Sequence, residues 1–243
     1  MKKYAIILAA GKGTRMKSEE PKCAHLFAGK PMVLRIVEEC KKCNFDDIIV
    51  IVGYKKEYIY DILGNSVKYA VQDQQLGTGH AVLCTEGLVD PTDALCVVLP
   101  GDMPRVDSNI INETINNFLD TKASLTVVSS IQPDPTGYGR IYKENGVFKK
   151  IVEHKDATEE QRKIKEVNSG LYCVDMKLMY EALHQVKTSS VSGEYYFTDI
   201  VEIIGKNHKV NSLPFVCYQK FVGINDLDAL HQAEEEYYKD NNR

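Results

Sequence analysis

The sequence predicts an α/β protein whose mostly parallel mixed sheet, Rossmann-like, carries helices on both faces. Three observations support this fold class. Short apolar runs such as DIIVIVG at residues 47–53 alternate with segments of helical spacing between residues 4 and 119. The runs are far shorter than a membrane span and end in glycine or polar residues. Glycine-rich or acidic turns follow several of them, and in parallel sheets such turns meet at one edge.

The first apolar run, residues 4–10, leads directly into a glycine loop. We interpret the run as a buried strand and the loop, GKGTRM at residues 11–16, as a tight turn. Its two glycines allow backbone N–H groups to approach a ligand closely. The chain has a net charge of −4, yet four cations surround these glycines: Lys12, Arg15, Lys17 and Lys22. The pattern favours a polyphosphate site, and a solvated basic turn is the alternative.

Further elements follow in alternation and define the first half of the sheet. The spacing predicts helices at residues 32–43, 58–63, 78–87 and 108–119 and strands at residues 47–53, 67–71 and 95–99. The second half is less regular. It is expected to contain strands at residues 125–129, 167–174 and 210–216, helices at residues 176–186, 195–204 and 226–239, and a hairpin of residues 139–142 and 147–152 around an Asn-Gly turn.

The chain shows no internal repeat, low-complexity tract or clear linker, so we expect one domain over residues 1–243. Residues 1 to about 105 would form a nucleotide half, residues 106–225 an acceptor half and residues 226–243 a closing helix. The composition, 44% hydrophobic and 26% charged, is that of a globular protein. We expect no signal peptide, membrane span or nucleic-acid surface.

Seven cysteines, several of them inside apolar runs, indicate reduced core thiols in a cytoplasmic protein. Cys40 and Cys43 form a C-x-x-C pair without a second pair. We interpret it as structural, with metal or redox chemistry as the alternative. His25 and His80 lack metal-ligand spacing and are also interpreted as structural.

The glycine loop matches neither of two common phosphate-binding motifs. It lacks the Walker A pattern, and Met16 stands where the dinucleotide fingerprint has its third glycine, which disfavours a nicotinamide dehydrogenase. The loop instead carries Arg15, and Lys22 follows seven residues later. Such cations can stabilise charge that develops on a phosphate chain, so the loop suits an enzyme that cleaves a triphosphate.

Two other turns carry candidate binding residues. Asp102 follows a predicted strand and could hold a Mg²⁺ ion that bridges phosphate oxygens, or it could simply cap a turn. Within the polar turn at residues 72–80, Gln72 could read a base edge, while Gly77 and Thr78 could present N–H groups near the base. An ordinary helix cap would explain Thr78 equally well.

Together these pieces resemble one family. The segments that carry the resemblance are LAAGKGTRM (residues 8–16), PK (21–22), QLGTGHA (75–81), GD (101–102), DPTGYGRI (134–141), IVEHKDA (151–157), EVNSG (166–170), GEYYFTD (193–199) and GIND (223–226). In this order the chain is similar to the uridylyltransferase domain of bacterial bifunctional N-acetylglucosamine-1-phosphate uridylyltransferase/glucosamine-1-phosphate acetyltransferase. The resemblance implies the nucleotide-diphospho-sugar transferase fold and a role in supplying a peptidoglycan precursor.

The resemblance also implies a reaction and a set of site residues. UTP and N-acetylglucosamine 1-phosphate would give UDP-N-acetylglucosamine and pyrophosphate with Mg²⁺, by direct in-line attack and without a covalent enzyme intermediate. Arg15 and Lys22 would be catalytic, and Asp102 and Asn225 would ligate the metal. The nucleotide would contact Leu8, Ala9, Ala10, Gly11, Lys12, Gly13, Gln72, Gly77 and Thr78, and the sugar would contact Gly139, Glu153, Asn168, Tyr196 and Thr198.

The resemblance has limits, and it leaves alternatives open. The family's acetyltransferase half, a left-handed β-helix, does not occur in this sequence, so acetyl transfer and coenzyme A binding are not expected and the oligomeric state stays open. Cys23, Pro100 and Arg105 depart from the family pattern and bear on sugar selectivity. The alternatives are a uridylyltransferase for another sugar 1-phosphate and a non-catalytic nucleotide sensor on the same fold.

Overall fold

A nine-stranded mixed sheet forms the centre of the computed structural model, which describes residues 1–241 and the side chains of residues 1–240. The main path of the sheet has the order β11-β7-β10-β6-β1-β4-β5, and β8 and β9 extend it from β10. A separate two-stranded sheet pairs β2 with β3. The strands are β1 (Lys2–Leu8), β2 (Leu26–Phe27), β3 (Lys30–Pro31), β4 (Asp47–Val52), β5 (Lys68–Val71), β6 (Ala94–Pro100), β7 (Leu125–Ile131), β8 (Arg140–Glu144), β9 (Val147–Val152), β10 (Glu166–Asp175) and β11 (Val210–Phe215).

Helices cover both faces of this sheet, as the sequence predicts. They are α1 (Met32–Lys41), α2 (Lys56–Leu63), α3 (Thr78–Leu83), α4 (Ser108–Thr121), α5 (Glu159–Arg162), α6 (Met176–Leu183), α7 (Ile200–Gly205) and α8 (Leu227–Asn241). Neighbouring residues of β1 point to opposite faces, so Ile6 packs in the core with α3, α6 and α7, and Ile7 in the core with α1, α2 and α4. The doubly wound fold class is therefore confirmed.

The sheet is parallel except at β10 and in the hairpin of β8 and β9, which pairs with β10 through β8. β1 pairs in parallel with β4 and β6, and β7 pairs in parallel with β11. β10 runs antiparallel to both of its neighbours, β6 and β7, and joins these two parallel groups. Its register with β7 shifts between Asn168 and Tyr172, where Gly170 has φ +87°. A Cβ at Gly170 would lie 2.9 Å from Pro100 Cγ, so this irregularity brings β10 close to the end of β6.

Most predicted elements are present, with shifts at their ends. The predicted hairpin turn is confirmed, because Asn145 and Gly146 both have positive φ (51° and 78°) between β8 and β9. The helix predicted at 78–87 ends at Leu83. The helix predicted at 195–204 begins only with a 3₁₀ turn, Phe197–Asp199, because Tyr195 forms backbone bonds to the turn before α3. The sequence did not predict β2, β3 or α5.

Other predictions concern the closing helix, the cysteines and the membrane. The closing helix is present as α8, whereas residues 242 and 243 of its predicted range lie outside the described residues. All seven cysteines are free thiols. Cys40 and Cys43 are buried in the core under α1, where burial raises the pKa of the Cys43 thiol to about 11. Within residues 1–241, no helix has the length and apolar character needed to cross a membrane.

Candidate active site

A cleft of about 350 Å³ lies at the edge of the sheet where β1, β5 and β6 end. This is where open α/β sheets bind ligands. Eight residues predicted for the site line it: Leu8, Ala10, Gly11, Lys22, Gln72, Gly77, Thr78 and Asp102. The sequence analysis assigned no binding role to the other five lining residues, Cys23, Gln75, Ala81, Pro100 and Glu194. The available signal was their position: Gln75 and Ala81 lie in the QLGTGHA segment and Glu194 in the GEYYFTD segment, while Cys23 and Pro100 stand out only as departures from the family pattern.

A second depression, of about 520 Å³, lies between α1, α8 and the loop after β6. Its lining is strongly charged, but each of its acidic residues already has a cationic partner. These pairs are Lys30–Glu38, Lys42–Glu39, Lys220–Asp107 and Arg105–Asp240. We therefore take the cleft at the carboxyl ends of the strands, where the predicted residues converge, as the candidate active site.

The glycine loop leaves its inner side open. Gly13 has φ +66°, and a Cβ there would lie 2.5 Å from Lys22 Cβ, so glycine lets Lys22 approach the loop. At Gly11, by contrast, an added Cβ would have no atom of the described residues within 4 Å. Two hydrogen bonds anchor the residue before the loop: the Ala10 carbonyl accepts from Tyr54 N (3.2 Å) and from Gln75 Nε2 (2.7 Å). This geometry leaves space beside Gly11 for a ligand.

Lys22 joins the two predicted metal ligands. Its Nζ forms an ion pair with Asp102 Oδ2 and donates to Asn225 Oδ1 at 2.9 Å, although 203 residues separate Lys22 from Asn225. A backbone bond from Ile224 N to the Asp102 carbonyl (3.0 Å) fixes the two segments together. A carboxylate and an amide oxygen thus converge on one cation. Oxygen ligands of this kind suit Mg²⁺, so the residues fit the predicted metal.

Gln72 is 4% exposed, and its neighbours fix the orientation of its amide. Its Nε2 donates to the Gly77 carbonyl (3.0 Å) and contacts His80 Nδ1 (3.0 Å). Because a carbonyl can only accept, the NH₂ group must face Gly77. The other amide atom, Oε1, has no partner among the described residues and remains an acceptor at the cleft. His80, which the sequence analysis interpreted as structural, contacts this binding residue directly.

The turn before α3 is locked to a segment of the second half. Gly79 N donates to the Tyr195 carbonyl (2.8 Å), and Tyr195 N donates to the Leu76 carbonyl (2.8 Å). Thr78 Oγ1 accepts a hydrogen bond from Phe197 N (3.0 Å). Gly77, with φ +109°, has no room for a side chain, because a Cβ would lie 2.5 Å from the Tyr195 carbonyl oxygen. The predicted base-side turn and the predicted sugar-side segment therefore form one unit.

The predicted sugar residues form a second polar cluster around Glu153. Thr198 Oγ1 donates to Glu153 Oε1 at 2.8 Å. A Cβ at Gly139 would lie 2.7 Å from Ile151 Cγ2 and 3.5 Å from both Glu153 carboxylate oxygens, so Gly139 packs against this carboxylate. Burial raises the pKa of Glu153, while the Thr198 hydrogen bond opposes the rise and nearby Asp199 adds to it.

Two further predicted sugar residues already have partners in the protein. Asn168 Nδ2 donates to Tyr172 Oη (2.6 Å), and Asn168 Oδ1 accepts from Gly170 N (3.1 Å). Its backbone N–H donates to the Gly139 carbonyl at 2.8 Å, which ties Asn168 to the Glu153 cluster. The Tyr196 hydroxyl donates to Ser192 Oγ at 2.7 Å. None of the five predicted sugar residues belongs to the lining of the cleft.

Several predicted nucleotide residues also lie outside the cleft lining. Ala9 is buried in the core below the loop, and Gly13 packs on Lys22. Lys12 lies over the Tyr54 ring, with its Nζ 5.2 Å from the ring centroid. Arg15 is exposed and makes no hydrogen bond or ion pair with the described residues, so its guanidinium is available for a ligand.

The fold and cleft define a class of protein. A cationic glycine loop and an acidic residue, brought together where parallel strands end, are the features of a nucleotide-binding α/β domain. The chain belongs to the family of MobA-like NTP transferase domains, whose family model matches residues 5–168.

Curated relatives extend the similarity beyond residue 168. The bifunctional protein GlmU of Geobacillus sp. (strain WCH70) is 39% identical over 237 residues, which cover 97% of this chain and 52% of that protein. GlmU of Exiguobacterium sibiricum is 42% identical over 244 residues, covering 100% of this chain and 54% of that protein. The chain thus spans about half the length of the curated relatives it matches.

A solved structure of UDP-glucose pyrophosphorylase in complex with UDP-glucose has the same fold. It superimposes with a TM-score of 0.80 at 21% identity, covering 99% of this chain and 100% of that chain. At this identity the likeness concerns the fold alone.

Proposed function

We propose that this protein transfers a uridylyl group from UTP to N-acetylglucosamine 1-phosphate, giving UDP-N-acetylglucosamine and pyrophosphate. The similarity to GlmU proteins over nearly the whole chain supports the choice of substrates. One structural observation carries the reaction type: Lys22, Asp102 and Asn225 converge beside an open glycine loop. The ammonium group of Lys22 and two oxygen ligands for a metal are thereby held beside the loop, where a triphosphate would lie.

The two halves of the chain would divide the work. Residues 1 to about 105 would bind UTP, and residues 106–225 would bind the sugar phosphate. The halves face each other closely enough for charge to be felt between them, because burial and the Asp102 carboxylate both raise the pKa of Tyr138, which directly precedes Gly139. The proposal requires a sugar phosphate bound near Glu153 to direct its phosphate toward the nucleotide half.

The proposed mechanism is a direct in-line displacement. A phosphate oxygen of the sugar phosphate forms a bond to the α-phosphorus as the bond to the β-phosphate oxygen breaks, and pyrophosphate leaves. The attacking phosphate is already ionised at neutral pH, so no general base is needed. Lys22, Arg15 and the loop N–H groups neutralise the charge that develops on the leaving group, and the cleft aligns the reactants.

Asp102 and Asn225 are the residues that would hold Mg²⁺. Among residues 1–241 there is no cluster of three or more His, Cys, Asp or Glu side chains placed to hold a metal. Two protein ligands are sufficient, because Mg²⁺ at such sites takes one or two protein ligands together with substrate phosphates. When bound, the ion would neutralise phosphate charge. Lys22 would then be free to move from these ligands to the phosphates.

The amide of Gln72 supports uracil as the base. With its NH₂ group committed to Gly77 and His80, Gln72 offers Oε1, an acceptor. Uracil presents an N–H donor at N3, whereas cytosine presents an acceptor there, and two acceptors facing each other repel. We therefore infer that UTP is preferred over CTP.

The Glu153 cluster supports a sugar with several hydroxyl groups. The carboxyl oxygens of Glu153 are acceptors for hydroxyl donors, and Thr198 and Gly139 define their surroundings. Asn168 retains one amide proton and one acceptor position beyond its internal bonds and could read the N-acetyl amide. Tyr196 would complete this side. The free thiols support a reducing, cytoplasmic setting.

A panel of sugar phosphates tests the proposal. The chain is incubated with UTP, Mg²⁺ and either N-acetylglucosamine 1-phosphate or glucose 1-phosphate, and pyrophosphate release is measured. We expect kcat/KM to be at least ~10-fold higher for the N-acetylated sugar, because Asn168 would lose a partner with glucose. A preference for glucose 1-phosphate would identify a different sugar uridylyltransferase. UTP binding without turnover of any sugar would indicate a nucleotide sensor.

A further inference from the structure

We propose that Arg140 is the positioning residue of the sugar-phosphate half, on which the placing of Gly139 and Glu153 depends. The inference rests on the proposed function. Arg140 belongs to the DPTGYGRI segment, in which the resemblance gives a role only to Gly139. It begins β8, is 1% exposed and is among the largest fully buried side chains described. Its guanidinium is buried and bonds to groups of the protein, so we assign it a positioning role and not a catalytic one.

The guanidinium is buried without a contacting carboxylate, and the Asp134 charge acts on it only from a longer distance. Among residues 1–240, no carboxylate lies within the 4.0 Å that defines an ion pair with Arg140. Burying a cation in this way is costly unless its protons are well bonded, and burial accordingly lowers the pKa of Arg140. If Arg140 only filled space, an apolar side chain of similar volume would stabilise the fold equally well. Its hydrogen bonds therefore indicate what it does.

These hydrogen bonds reach three separate segments. Arg140 Nη1 donates to the Tyr138 carbonyl in the loop before β8. Nε and Nη2 both donate to the Arg162 carbonyl at the end of α5, at 3.4 and 3.3 Å. Nη2 also lies 3.2 Å from His154 Nδ1, just beyond β9. Because a guanidinium can only donate, Nδ1 must be the unprotonated nitrogen of the His154 ring.

Two of the three bonded residues are direct neighbours of the sugar set. Tyr138 precedes Gly139, and His154 follows Glu153. Gly139 packs against the Glu153 carboxylate. The guanidinium bonds to the residue next to each of them, Tyr138 and His154, and so fixes both members of this contact. The backbone of Arg140 also lies next to the third sugar residue. In the ladder between β8 and β10, Arg140 pairs with Val167, which directly precedes Asn168. Arg140 therefore sets the relative position of three predicted sugar residues.

Only arginine fits this arrangement. Its planar fork presents donors in fixed directions to three acceptors on different segments, whereas the single ammonium of lysine would have to choose among them. The Arg140→Lys variant keeps the charge but not the fork. The Arg140→Met variant keeps a comparable length and removes the charge. Comparing the two separates geometry from electrostatics.

Steady-state kinetics with both substrates varied test the proposal. The sugar phosphate is whichever one the wild-type protein uses best, so a wrong sugar assignment appears in the wild type and not in the variants. We expect Arg140→Lys to raise KM for the sugar phosphate by ~10-fold or more and to change KM for UTP by less than ~2-fold. The matched control is Arg162→Ala, which removes an exposed side chain but keeps the accepting carbonyl and should behave as wild type.

A second variant guards against misfolding. His154→Phe removes one acceptor near the surface of the cluster and should raise only the sugar-phosphate KM, whereas His154→Gln, which keeps an acceptor, should restore it in part. Hydrogen–deuterium exchange provides a readout that needs no turnover. In Arg140→Lys we expect faster exchange at residues 138–141 and 152–163 and unchanged exchange at residues 8–13. Equal loss of affinity for both substrates, or faster exchange throughout the sheet, would reduce Arg140 to a general stabilising residue and overturn the proposal.

Discussion

The two proposed halves of the candidate site differ in how many of their polar side chains already bond to the protein. In the nucleotide half, Arg15 is exposed without a partner and Lys22 neutralises Asp102. In the sugar half, the polar side chains are already hydrogen-bonded to the protein, as in Thr198–Glu153 and Asn168–Tyr172. Side chains that are already held lose little entropy on binding, whereas cations beside a phosphate act by charge. Under the proposed function, the sugar half would therefore supply mainly geometry and the nucleotide half mainly electrostatic stabilisation.

The largest expected effect lies in the nucleotide half, at Asp102. Asp102→Ala should lower kcat by ~100-fold or more with either sugar phosphate, because it removes a charged group at the reacting phosphates. Pyrophosphate release measures the effect. The control is Asp47→Ala, whose side chain also pairs with a lysine (Lys68, 2.9 Å) but at the opposite edge of the sheet. Retention of activity within ~3-fold would show that the metal and charge assignments are wrong.

Two glycines of the loop separate a structural role from a binding role. Gly13→Ala should cost about 1–2 kcal/mol of folding free energy, because an L-residue is strained at φ +66°, and it should also lower kcat by displacing Lys22.

Gly11→Ala should leave the melting temperature unchanged and raise KM for UTP several-fold, since the methyl group occupies the space beside the loop.

Gly87→Ala is the control for backbone strain alone. Gly87 has φ +85°, and an added Cβ there would have no described atom within 4 Å. The Gly87→Ala substitution should therefore lower the free energy of unfolding by an amount similar to the strain in Gly13→Ala, without changing kcat. If Gly11→Ala bound UTP like the wild type, the open side of the loop would not be the nucleotide site.

A substitution at Glu153 separates the two halves most clearly, because it should change KM for the sugar phosphate alone. Glu153→Gln should raise KM for the sugar phosphate by ~10-fold, about 1.4 kcal/mol, and leave KM for UTP unchanged, because the carboxylate is the stronger acceptor for hydroxyl groups. Initial rates with each substrate varied measure this. The exposed Glu144→Gln serves as the control. An equal change in both KM values would contradict the division between the halves.

The raised pKa of Glu153 also predicts a pH dependence of stability. Because burial raises the pKa above its ordinary 4.5, the folded state binds this proton more tightly than the unfolded state. The wild-type protein therefore loses stability from this group as pH rises from about 4.5 through the raised pKa. Glu153→Gln should melt at a higher temperature than wild type at pH 7, and the difference should vanish below pH 4.5. A lower melting temperature at pH 7 would contradict the burial argument.

Local patterns were sufficient for much of the fold. Apolar runs with clear periodicity predicted the strands and helices of both halves, and the Asn145-Gly146 turn was readable because only φ > 0 residues fit it. Long-range contacts were not readable. Tyr195 fits a helical pattern, but its backbone groups bond to the turn at residues 76–79, so the helix starts later. β10 gives no local sign of its antiparallel direction.

The same limit applies to the site. Motifs located Lys22, Asp102 and Asn225 separately, yet nothing in the sequence indicated that one ammonium group joins the other two side chains. Arg140 was overlooked because a buried arginine is recognisable only when its partners are known. The sequence relates Arg105, which departs from the family pattern, to sugar selectivity. The structure instead pairs it with Glu236 and Asp240 of α8, away from the cleft lining.

Arg105 therefore gives the smallest effect and tests whether a residue away from the cleft and the Glu153 cluster is neutral for binding. Its guanidinium lies 3.0 Å from Glu236 and 2.7 Å from Asp240, whose side chains are 36% and 63% exposed. The two acidic partners stay hydrated, so the ion pairs themselves contribute little, but the Arg105 side chain is only 10% exposed and its removal also loses packing. Arg105→Ala should therefore destabilise the protein by about 1 kcal/mol, a fall in Tm of about 2–4 °C, without changing either KM. Lys163→Ala, which breaks a more exposed pair with Glu160, should shift Tm even less. Because α8 begins two residues after Asn225, a loss of Mg²⁺ affinity in Arg105→Ala would show instead that the helix transmits its position to the metal ligands, and Arg105 would then belong to the nucleotide half.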